Sequence, residues 1–102
     1  MKTSEILTRA KDLIAMPDHW VKGVMSGVFN GKQCYCSVGA LTAVTVFLDE
    51  GYVEAVKLLS RSLDSNSSFD IVAYNDAPER KHEEILALFD KAIAIALAKD
   101  EE

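Results

Sequence analysis

From Cys34 to Leu48 the chain reads Cys-Tyr-Cys-Ser-Val-Gly-Ala-Leu-Thr-Ala-Val-Thr-Val-Phe-Leu, fifteen residues without a charged side chain. In a chain that is 26% charged overall, such a run must be taken out of water. It falls short of the roughly 20 apolar residues that span a bilayer, and Gly39, Thr42 and Thr45 interrupt it. It is therefore expected to be the buried element of a globular domain. With 102 residues, 49% of them apolar, there is material for one small core, so a single domain over residues 1–102 is expected, with residues 100–102 as a disordered tail.

The run divides at Ser37, which stands where a helix N-cap belongs, leaving Val38 to Leu48 as the most buried helix. Gly39 costs about 1 kcal/mol relative to Ala inside a helix, so its presence predicts close approach by another backbone or a ligand, with close helix or hairpin packing the favoured cause. Upstream, Trp20 to Phe29 is β-rich and leads into Asn30-Gly31, the pair favoured by two-residue type I′ turns. The predicted hairpin pairs Phe29 with Lys32, Gly27 with Cys34 and Met25 with Cys36. That register gathers Met25, Phe29, Cys34 and Cys36 on one face, which is expected to point inward.

Helical periodicity accounts for most of the remainder. Ile6, Leu7, Ala10, Leu13 and Ile14 share one face of a helix expected over Ser4–Met16, capped by Thr3 or Ser4 and ended by Pro17. After a break at Asp49-Glu50-Gly51, Tyr52, Val53, Val56, Leu59 and Leu63 mark another helix. Asp64–Ser68 reads as a mobile loop, and a short helical turn over Phe69–Tyr74, anchored by Ile71, Val72 and Tyr74, is expected to deliver Asn75-Asp76 to a turn. The last helix, His82–Lys99, carries Ile85, Leu86, Phe89, Ala92, Ile93, Ala96 and Leu97 as its stripe. The expected fold class is mainly α, a small α+β domain of four main helices with one β-hairpin between the first and second.

A net charge of −5 without a basic cluster argues against direct nucleic-acid binding, which needs Lys and Arg to displace counterions. Charges at Glu5, Arg9, Lys11 and Asp12 leave no apolar signal segment, so a cytoplasmic location without membrane contact is expected. Cys34, Cys36, His19 and His82 are the residues that zinc would need, but their spacing matches no common zinc module, and no cofactor is expected. Cys36 ahead of a helix could serve as a nucleophile with a histidine base, against which stands the predicted inward face.

Tyr74-Asn75-Asp76-Ala77-Pro78-Glu79-Arg80, followed by His82, concentrates polar groups in one loop. Trp20, Tyr74, Asn75, Asp76, Arg80 and His82 are the candidate binding residues. The structural alternative is a turn initiated by Asp76, with Trp20 covering the edge of the core.

Trp20, Cys36-x-x-Gly39-Ala40-Leu41, the Tyr74–Arg80 segment and Glu84-Ile85-Leu86 together resemble a family of small bacterial and phage proteins of unknown function. Its pattern has Trp where this chain has Tyr35 and Tyr74, Gly at Glu79, and a capping Thr at Lys81. The resemblance implies the order of elements but no activity. Loss of the Thr cap leaves Asp76 or water to satisfy the first N–H groups of the last helix.

These features point to a non-catalytic binding or regulatory protein acting on another macromolecule, with a protein partner. A phage or prophage accessory protein with a host-modulating or anti-defence role falls within that reading. A homodimer through the helix that begins near Tyr52 is compatible with it. The alternative is a small enzyme or ligand-binding domain built on Cys36, Asn75, Asp76 and His82.

Overall fold

The computed structural model describes residues 1–45, 50–64 and 68–100. Among the described residues five α-helices surround one core: α1 (Thr3–Leu13), α2 (Ser37–Val44), α3 (Glu50–Ser62), α4 (Ser68–Asp76) and α5 (His82–Asp100). A 3-10 turn, Pro17–His19, leads to the strands β1 (Ser26–Phe29) and β2 (Lys32–Tyr35). The helices are thus five rather than four, because the segment before the last is a full helix. If the 3-10 turn is counted as a helix, the hairpin falls between the second and third helical segments.

Apolar spacing explains the packing. Ile6, Leu7, Ala10 and Ile14 of the first helical face meet Ala40 and Leu41, Ala55, Leu58 and Leu59, and Ile85, Phe89 and Ala92 in one cluster. Helix α1 lies against α2, α3 and α5, and α4 lies against α2 and α3. In α5 the expected stripe holds at Ile85, Phe89, Ala92 and Ala96, but Leu97 is exposed and Leu88 joins the core.

Helix boundaries depart from expectation for local reasons. Helix α1 ends at Leu13 rather than Met16, where Ile14 N–H turns back to Lys11 O and Ala15 N–H to Asp12 O. No side chain caps the start of α1. Helix α2 stops at Val44 because Thr45 is extended, as a β-branched run favours; the expected continuation through 46–48 lies outside the described residues. Glu50 and Gly51, expected in a break, open α3 instead, and α3 closes on Asp64 at φ 57°, a left-handed residue just past its end. The expected loop mobility at 65–67 and the tail at 101–102 lie outside the described residues, while Asp100 is the last residue of α5.

The hairpin has the anticipated register: Phe29 pairs with Lys32 and Gly27 with Cys34, and Cys36 N–H donates to Met25 O at 3.0 Å. Asn30 and Gly31 have φ 53° and 77°, the left-handed pair that a type I′ turn needs. The inward face is only half realised. Cys34 and Cys36 are buried, but Met25 is 50% and Phe29 44% exposed. The hairpin leans on the domain through β2, and the Phe29 ring folds back over Gly27, where no side chain opposes it.

Gly39 fulfils its prediction. A Cβ there would run into the carbonyl oxygen of Met25, so the start of α2 and the end of the hairpin touch backbone to backbone.

Candidate functional site

The loop expected to present Asn75 and Asp76 is instead the last turn of α4, and the helix carries Asn75 inward. Asn75 is 1% exposed, and its amide holds three parts of the chain together. Oδ1 accepts from Trp20 Nε1 at 2.8 Å, from Ser37 N at 3.0 Å and from Ser37 Oγ at 2.8 Å. Nδ2 donates to Val21 O and to Asp76 Oδ1, both at 3.0 Å. Three donors converge on one atom and two acceptors face the other, so the orientation of the amide follows from its partners.

Asn75 thereby caps α2 from another helix. The free N–H of Ser37 in the first turn of α2 meets its carbonyl oxygen, a role otherwise taken by a local side chain. The local cap is Cys36 rather than Ser37: its Sγ accepts from Gly39 N at 3.3 Å. Burial pushes the Cys36 thiol above its ordinary value, and the Gly39 N–H acts the other way. A buried thiol held in this form is a poor nucleophile.

The other candidates surround this amide. Asp76 Oδ1 also accepts from Gly23 N at 2.9 Å, and Lys22 Nζ donates to Ala77 O at 2.6 Å and Pro78 O at 3.1 Å. Lys22 lies 5.5 Å from the Trp20 ring centroid, and the Trp20 and His82 rings are 5.7 Å apart. His82 Nε2 donates to Ile14 O at 2.6 Å, satisfying a carbonyl left free at the end of α1. The ring nitrogen must carry the hydrogen there, because a carbonyl can only accept. Arg80 stacks 3.5 Å from the Tyr74 ring centroid, donates to Tyr74 O at 2.8 Å and pairs with Glu84 at 3.0 Å.

The turn after α4 closes with Arg80 N donating to Ala77 O at 2.9 Å, and Pro78 takes its second position, where its fixed φ suits a turn. Asp76 does not start that turn; it ties down Gly23. At the start of α5 a side chain of the helix itself reaches back to the preceding residue. Glu84 Oε1 accepts from Lys81 N at 2.9 Å, half of a capping box, and this bond first, then Arg80, holds the Glu84 carboxyl below its ordinary value. Of the expected α4 anchors, Ile71 is buried and Tyr74 half-buried, whereas Val72 is exposed because it falls on the helix's outer side.

Of the six candidates, Trp20, Asn75, Asp76 and His82 meet at one junction, whereas Tyr74 and Arg80 pair with each other beside it, and each of the six has a partner within the chain. Ser37, Lys22 and Gly23 belong to the same junction but are not among the six candidates. Ser37 reads as an ordinary cap, and nothing local marks a lysine that will reach residues 55 positions away. Among the described residues no three His, Cys, Asp or Glu side chains converge as metal ligands, and no helix is long and apolar enough to cross a membrane. A shallow cleft of about 350 Å³ lies between the 3-10 turn and the hairpin, walled by Asp18, Trp20, Phe29, Lys32 and Cys34.

A family model described as a family of unknown function, DUF6197, matches residues 1–95. The chain belongs to DUF6197. The match covers every element from α1 through most of α5, so the Asn75 junction lies wholly within the DUF6197 region. No curated protein and no solved structure matches the chain.

Proposed function

We propose that this DUF6197 protein is a non-catalytic binding module that acts by contacting another protein. The observation behind this reading is the engagement of Asn75. An amide with five internal hydrogen bonds is a structural clasp, and the neighbouring Asp76, Arg80 and His82 are likewise held by backbone or side-chain partners. The thiol takes its hydrogen bond from Gly39 and the histidine gives its own to Ile14, so neither activates the other.

What the clasp positions is α4 and the turn after it. Phe69 is 83% exposed on α4 with Val72 exposed one turn on, and Pro78, Glu79 and Lys81 follow on the same connection. An exposed aromatic on a rigid helix, bordered by polar residues, is the composition of an interface anchor. An accessory protein of a phage or prophage, directed at a host system, is one setting for such a module, supported by small size, acidity and the resemblance noted above.

The test is capture from cells of the source organism with the native chain and with Phe69→Asp. The expected result is a stoichiometric protein partner that the substitution removes while the melting temperature stays within about 2 °C, as exposed sites allow. Absence of a partner, or a partner indifferent to Phe69 and Val72, overturns the reading.

A further inference from the structure

We propose that the open edge of β1 pairs with the same edge of a second copy, across a two-fold axis through Gly27. The hydrogen-bonding sides of the hairpin follow from its partners. Tyr35 O accepts from Val21 N at 3.0 Å and Gln33 O from His19 Nδ1 at 2.7 Å, so at both residues β2 faces away from β1 and is covered by residues 19–21. Val28 and Ser26 sit opposite Gln33 and Tyr35 in the register. In an antiparallel ladder such pairs turn their N–H and C=O groups outward on both strands. Those of Ser26 and Val28 therefore point outward along an edge that has no hydrogen-bonded strand among the described residues, and Val28 is 68% exposed.

The edge is self-complementary. Turned about Gly27, Ser26 of each copy meets Val28 of the other, and four backbone hydrogen bonds form. Met25 then lies across from Phe29 of the other copy, and their exposed sulfur and ring come together over the two glycines. Gly27 leaves room at the axis, where non-hydrogen-bonded neighbours approach to about 4.5 Å between Cα atoms.

Charge selects a second copy as the occupant. The chain carries sixteen acidic residues and a net −5, yet none of the acidic residues lies between His19 and Leu48. The two lysines in that stretch are drawn aside, Lys22 to Ala77 and Pro78 and Lys32 to Asp18. Two copies that repel over their helical surfaces can therefore meet at the hairpins. Neither Pro nor a charged side chain blocks Ser-Gly-Val-Phe, although its four-residue length keeps any pairing short. The surface is distinct from α4, and the proposal does not depend on the function proposed above.

A contact of one short strand belongs to the weak class of interfaces, so the dissociation constant is expected on the order of 10–100 µM. Sedimentation equilibrium of the full chain should show the mass rising from 11.2 kDa toward twice that value with concentration. Val28→Lys and, separately, Ser26→Lys should weaken the association at least about tenfold by placing like charges across the axis, with the helical circular dichroism unchanged. In the concentrated native protein the Ser26 and Val28 amides should exchange more slowly than in dilute solution. A monomer up to about 1 mM, above the expected weak range, overturns the proposal. So does a dimer that survives both lysines, or one in which those two amides stay unprotected.

Discussion

Asn75 shows how much one buried amide can determine. Replacing it with Ala would strand the Trp20 indole N–H and both donors of Ser37, groups that cost about 1–3 kcal/mol each when buried without a partner. Asn75→Ala is therefore expected to lower stability by about 3–5 kcal/mol in urea unfolding, while Trp20→Phe, which removes only one donor and part of the ring, costs less. Equal losses would mean that Asn75 contributes no more than the indole bond. The thiols offer a second check at this scale. Cys34 and Cys36 are 3% exposed, and burial raises Cys36, so both should resist alkylation in the native protein at pH 8 and react fully in denaturant, as read by mass spectrometry.

At the scale of elements, the contact between the hairpin and α2 tests a sign. Gly→Ala inside a helix ordinarily gains about 1 kcal/mol. At Gly39 the new methyl would meet the Met25 carbonyl, which is itself held by Cys36 N–H, so the backbone has no room to yield. Gly39→Ala is expected to destabilise by about 2 kcal/mol or more, measured by thermal unfolding. The cap of α5 predicts a pH dependence. Glu84 has its carboxyl lowered by the Lys81 N–H and then by Arg80. A depressed acid contributes stability above its unfolded value, and that contribution is lost as pH falls through the folded one. The native protein should lose more stability below about pH 4.5 than Glu84→Gln does, and parallel pH profiles would refute the role.

Across the whole molecule, the ion pairs Lys11–Asp90, Lys32–Asp18 and Lys99–Glu54 link distant segments but remain solvent-accessible. Exposed pairs of this kind are screened and contribute little, so 0.5 M salt should leave the melting temperature nearly unchanged. A large drop would show that surface charge, rather than the apolar cluster of α1, α3 and α5, holds the domain together. In hydrogen exchange the slowest amides should lie in those three helices around Leu7, Leu58 and Phe89.

Much of this architecture is local and was legible in the chain. The apolar period of Ile6 to Ile14 and Ile85 to Ala96 determines which side of each helix is buried. Asn30-Gly31 determines the turn, and with it the register down to Cys34. Gly39 announced a close approach without saying to what. Other features exist only because the chain is folded. Met25 and Phe29 share a face with Cys34 and Cys36, yet they stay exposed because the helices meet the hairpin through β2. Asn75 looks like a turn residue in sequence, since local propensity cannot register that Trp20, Val21 and Ser37 will surround its amide. Sequence spacing records the period of an element, whereas a buried polar group is decided by which donors and acceptors arrive from elsewhere. The uncharged run from Cys34 thus specified a strand and a buried helix, and tertiary packing alone decided that Asn75 would cap that helix and bind it to the Trp20 loop.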